Sequence, residues 1–155
     1  MLELRGISKI YNPGTVTELC LFDDFSFKVA DGEFVSVVGS NGSGKTSMLN
    51  IICGSIPVSG GEVLIDGKNI NSLREYKRYR MIGRVYQNPA AGTCPDMTIL
   101  ENMSLADNKG KLYGLSFGVN NSRKNYYKEQ LSSLGLGLED KLDVKLGALS
   151  GGQRQ

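Results

Sequence analysis

The apolar run Phe34-Val-Ser-Val-Val38 breaks into Gly39-Ser-Asn-Gly-Ser-Gly-Lys45-Thr46, and a helical pattern follows at once. No other stretch constrains the fold so tightly. A short β-branched run, a glycine-rich loop and a helix in that order specify an α/β unit whose loop fits G-x-x-x-x-G-K-[ST]. The glycines let the backbone curl so that successive N–H groups point inward, and Lys45 adds a cation. The hydroxyl of Thr46 suits a divalent metal ion, and a helix starting near Lys45 presents its positive dipole end. Met48, Leu49, Ile51 and Ile52 fall where such a helix buries them. A Gly/Ser-rich turn that matched by chance would not need both flanks.

The chain has 155 residues, 40% of them hydrophobic, which is enough for one ordinary core with a lobe and too little for two large domains. A net charge of +2 gives no broad electrostatic footprint, so no nucleic-acid partner is expected. Cys20, Cys53 and Cys94 are widely spaced and odd in number, which favours a reduced, cytosolic setting. No secretory-type leader and no apolar run approaching the roughly 20 residues of a membrane helix is evident, so the chain is expected to be soluble.

From Met1 to about Val29 the pattern is mostly β, turning at Asn12-Pro-Gly14, and it reads as antiparallel. Pro57 to Gly61 is a break, and Glu62 to Asp66 a further strand closed by Gly67. Ser72 and Glu75 have the spacing of a capping box, predicting a short helix whose Arg74, Lys77, Arg78 and Arg80 form a solvated basic face. Met81 to Tyr86 reads as a buried strand ending at Gln87. Thr98 and Glu101 form a second box, opening a helix to about Ala106; Lys109 to Asn121 reads as a loop. The helix after it carries a modest stripe of Tyr126, Leu131 and Leu134. Ser150 and Gln153 form a third box, and Gly151 and Gly152 leave that helix start bare, a second place where backbone N–H groups can meet an anion.

With both anion-binding elements in hand, the chain resembles the nucleotide-binding subunit of ATP-binding cassette (ABC) transporters. Four landmarks stand in that family's order: Tyr11, the loop Gly39 to Thr46, Gln87, and Leu149-Ser-Gly-Gly-Gln153. The resemblance spans the whole chain. It implies an α/β fold, a P-loop NTPase (RecA-like) core with an N-terminal antiparallel β subdomain and a helical subdomain, the C-terminal part of the core sheet being missing. Residues 1–87 would be core, 88–147 the helical subdomain and 148–155 the signature with the start of its helix.

The resemblance also assigns roles. Tyr11 would stack on adenine, although the position also suits a core or solvent-facing tyrosine. Gly39, Ser40, Asn41, Gly42, Ser43, Gly44 and Lys45 would hold the phosphates, Ser47 the α-phosphate, and Thr46 a Mg²⁺ ion. Gln87 would reach Mg²⁺ and the attacking water, with a plain strand-end amide as its alternative. Lys45 and Gln87 are the catalytic candidates. Ser150, Gly151, Gly152 and Gln153 would face ATP held by a second cassette subunit, two copies meeting head to tail as a homodimer. Transmembrane permease subunits, and for an importer an extracytoplasmic solute-binding protein, are the implied partners. The implied location is cytoplasmic, peripheral on the inner face of the membrane.

Departures matter too. The family continues past its signature to a strand ending in Asp, an adjacent Glu as general base and a later His, whereas this sequence reaches Gln155 and contains no histidine. The 155-residue polypeptide is therefore expected to bind ATP without hydrolysing it. The competing readings are a soluble cassette ATPase without membrane subunits, and a non-catalytic nucleotide-binding remnant.

Overall fold

A computed structural model describes residues 1–109, 118–119 and 121–154. The chain forms two compact units, Met1–Gly83 and Arg84–Gln155.

In the first unit, β1 (Leu2–Tyr11) pairs antiparallel with β2 (Leu19–Val29) on one side and β3 (Gly60–Ile65) on the other. A two-residue β4 (Lys68–Asn69) completes the order β2-β1-β3-β4, the antiparallel sheet read from the sequence. The hairpin between β3 and β4 turns through Asp66 and Gly67, both with positive φ. Where β1 and β3 shift register, only glycine fits: a Cβ on Gly61 would lie 2.2 Å from the Gly6 carbonyl oxygen.

Helix α1 (Lys45–Cys53) closes one face of this sheet. Met48, Ile51 and Ile52 meet Leu4, Ile7, Val63 and Ile70 in one buried cluster. Leu49, expected on the same face, is 51% exposed: it lies roughly 160° round the helix from Ile51, outside the stripe that Met48, Ile51 and Ile52 span.

Two expected strands do not form. Phe34 to Val38 and Met81 to Tyr86 carry no ladder, and Phe34 and Val38 are 94% and 87% exposed. An apolar β-branched run becomes a sheet strand only through inter-strand hydrogen bonds, and among the described residues no neighbouring strand pairs with either.

Helix α2 is the four residues Glu75–Arg78, and its start differs from expectation. Arg74 is the N-cap and no side chain caps the helix. The Glu75 carboxylate instead accepts through Oε1 from Ser55 Oγ and Tyr79 Oη, each at 2.6 Å, and with Arg74 as N-cap Ser72 lies two positions before the cap. Arg78 leaves the solvated face altogether and is 4% exposed.

The second unit packs α3 (Ile99–Asp107) against α4 (Lys124–Ser132) and the segment that follows. Thr98 caps α3 as the sequence predicts: the Glu101 N–H donates to Thr98 Oγ1 at 3.2 Å while the Glu101 carboxylate accepts from the Thr98 N–H at 2.7 Å. Ile99, Leu100, Tyr127, Leu131, Leu138, Leu142, Leu146 and Leu149 form the core. Tyr126 and Leu134 are 46% and 59% exposed, and α4 buries Tyr127 and Leu131, spaced i and i+4. Asp107 ties the helices together, accepting from Tyr127 Oη at 2.9 Å and Arg123 Nη1 at 2.7 Å. The loop expected over Lys109 to Asn121 falls largely outside the described residues. The unit ends in α5 (Gly151–Arg154).

Candidate functional site

The loop entering α1 gathers the sequence's strongest candidates. Gly42 and Gly44 take φ of 84° and 87°, and the Ser43 N–H donates to the Ser40 carbonyl at 3.2 Å, curling the backbone. A Cβ on Gly39 would stand 2.7 Å from Ser43 Oγ, so a side chain there would force the Ser43 hydroxyl to turn away. Gly44 is the N-cap of α1 and has no side chain to offer, which leaves the first-turn N–H groups of the helix without a side-chain cap. Lys45 Nζ folds back over the curl, donating to the carbonyls of Gly39 and Ser40 at 2.7 Å each and reaching Ser43 Oγ at 3.4 Å. Thr46 is exposed and Ser47 half-buried. Between Gly39 and Ser47 the only ionisable side chain is this lysine. Bare N–H groups, a helix dipole, one ammonium and an exposed hydroxyl make a cradle for a phosphorylated anion.

The β-hairpin reaches this cradle from behind. A Cβ on Gly44 would lie 3.0 Å from Phe22 Cζ and 3.6 Å from Leu21 Cδ1, so two β2 side chains back the point where the loop becomes a helix. Phe22 stands opposite Lys9 in the β1–β2 register, and Tyr11, half-buried at the end of β1, stands opposite Leu19. The structure therefore joins Tyr11 and the loop through one hairpin. Lys9 Nζ sits 4.8 Å from the Tyr11 ring centroid.

The remaining candidates belong to the second unit. Gln87 is exposed, just before Asn88, whose Oδ1 accepts from the Ala90 N–H at 3.1 Å and starts a short 3₁₀ turn. The third capping box is present: the Gln153 N–H donates to Ser150 Oγ at 3.4 Å and the Ser150 N–H to Gln153 Oε1 at 3.3 Å. Gly151 and Gly152 are exposed, and a Cβ on either would meet nothing within 4 Å. Sequence reasoning passed over Arg154, whose guanidinium donates to the carbonyls of Leu149 at 2.8 Å and Gly147 at 2.9 Å and so fixes the approach to Ser150. An arginine just inside a helix start ordinarily reads as solvated, so nothing in the spacing marked it.

The sequence pattern of the family described as ABC transporter matches residues 22–155. The chain belongs to the ABC transporter family. The tyrosine transport ATP-binding protein of Clostridioides difficile (strain R20291) is 44% identical over 155 residues, all of this chain and 61% of that protein. The spermidine/putrescine import ATP-binding protein PotA of Mannheimia succiniciproducens is 32% identical, over all of this chain and 37% of its own length. The chain thus spans less than two thirds of these ABC relatives. Among solved ABC structures, a dimeric ATP-binding cassette in a post-hydrolysis state, bound to ADP and Pi, superimposes with a TM-score of 0.79 at 31% identity, covering 99% of this chain and 65% of that one. The mixed α/β fold is accordingly that of ABC cassettes, a P-loop NTPase architecture. Among the described residues of this ABC chain, no helix is long and apolar enough to cross a membrane.

Proposed function

We propose that this chain is the ATP-binding part of an ABC importer's ATPase subunit, with Lys45 and the α1 N–H groups gripping the phosphates. The observation that carries this reading is the uncapped start of α1 beneath a lysine already folded over its loop. Mg²⁺ would enter with the nucleotide, taking the Thr46 hydroxyl as a protein ligand; hard oxygen donors suit it. When bound, the ion supplies charge neutralisation between the phosphates. Tyr11 stacks on the base from the hairpin end.

Ser150, Gly151, Gly152 and Gln153 serve a second copy. Their glycines do not relieve any crowding within their own unit, since a Cβ would meet open space. Their smallness is instead useful to a group arriving from outside, and ATP held by another subunit's loop fits that need. Two copies then close head to tail over two nucleotides, transmembrane permease subunits turn closure into transport, and an extracytoplasmic solute-binding protein delivers the solute. The likeness to a tyrosine transport ATP-binding protein supports an amino acid as that solute. On this reading the protein lies at the cytoplasmic face of the membrane.

Calorimetric titration with ATP and Mg²⁺ tests the core of the proposal. Lys45→Ala should weaken binding by about 10- to 100-fold, the loss of one charged hydrogen-bonding group at roughly 1.5–3 kcal/mol. Unchanged affinity in that variant would overturn it.

A further inference from the structure

The ammonium of Lys9 has no assigned task, yet the residue is only 9% exposed and its Nζ sits 4.8 Å from the centroid of the Tyr11 ring. Lysine is almost never this buried without a partner. Here the partner is an aromatic face. Lys9 and Tyr11 are two residues apart on β1 and so share one face of the strand, and Lys9 lies opposite Phe22, whose ring backs Gly44. The charge is therefore placed between the base end of the candidate site and its phosphate end.

We propose that Lys9 is a positioning residue for nucleotide recognition, acting through Tyr11. A cation over one face of the ring fixes the ring's plane, and Tyr11 remains half-buried, with surface left for a base. It also draws electron density out of the ring, which favours stacking against an electron-rich purine. The proposal rests on the reading of Tyr11 as the base-stacking residue.

The test compares ATP with inorganic tripolyphosphate, which has the phosphates and lacks the base. Lys9→Met should fold, because replacing a buried charge by an apolar side chain of similar length is often neutral or stabilising; Lys9→Gln serves if it does not. The neutral variant should bind ATP about 5- to 10-fold more weakly, the worth of one largely desolvated cation–π contact, and bind tripolyphosphate as the native protein does. Lys9→Arg should restore ATP affinity, and Lys9→Met should add nothing to Tyr11→Ala. Equal loss toward both ligands would overturn the proposal by showing that Lys9 serves the phosphates or the fold. Loss in Tyr11→Ala with none in Lys9→Met would overturn it while leaving the stacking role of Tyr11 intact. If Tyr11→Ala keeps full ATP affinity, the stacking role falls, and this proposal with it.

Discussion

Arg78 shows how one side chain can change part in going from sequence to structure. Its guanidinium donates to the carbonyls of Ile51 at 2.9 Å, Ile52 at 3.1 Å, Leu73 at 3.0 Å and Asn71 at 3.1 Å. The last turn of a helix leaves carbonyls without partners, and this arginine supplies donors to the end of α1 opposite the phosphate loop. A basic run with interleaved tyrosines reads as solvated because nothing local says which arginine a distant helix needs. Arg78→Met should lower stability by roughly 2–4 kcal/mol in urea denaturation, since several carbonyls lose their charged donor. Arg80→Met, two positions along and exposed, should leave the midpoint nearly unchanged. Gly44 is the opposite case, fully legible from the motif. Gly44→Ala should cost about 1–3 kcal/mol for a side chain held at φ 87°, besides crowding Phe22. The same denaturation experiment reads it.

At the scale of elements, two of three capping boxes were legible. Thr98/Glu101 and Ser150/Gln153 form, each with both reciprocal hydrogen bonds. Ser72/Glu75 does not form: α2 takes Arg74 as its N-cap, and Glu75 Oε1 accepts from Ser55 and Tyr79, 20 residues back and four ahead. The antiparallel strands were legible from alternation, whereas Phe34 to Val38 read as a buried strand because composition reports what a segment can pair with, not whether a partner is there. The Glu101 carboxyl is held below its ordinary value of 4.5 chiefly by the Thr98 N–H, then by the Thr98 hydroxyl. A group depressed in the fold stabilises it above the unfolded pKa, and that stabilisation fades as pH falls through the folded one. Glu101→Ala should therefore melt below the native protein at pH 7. The gap should narrow progressively below about pH 4.5, which thermal denaturation across that range would check.

For the whole molecule, the phosphate loop lies between a well-packed helix and a run whose two ends, Phe34 and Val38, are uncovered among the described residues. Phe34 and Val38 are almost fully exposed just before Gly39, while Met48, Ile51 and Ile52 are buried just after Lys45. Exposed apolar surface of this kind seeks a cover. The protein should enhance the fluorescence of an apolar dye such as ANS, and Phe34→Ser with Val38→Ser should reduce the signal by about half or more, since uncovered patches of a few hundred Å² are what such dyes find. The position of the run ties cover to ligand. A cover settling on Phe34 to Val38 would hold the segment that leads directly into the loop, and so would bear on the loop's own conformation. Where a cover on that run changes nucleotide affinity, reciprocity makes the linkage symmetric: a cover that raises nucleotide affinity tenfold is itself held tenfold more tightly when nucleotide is bound.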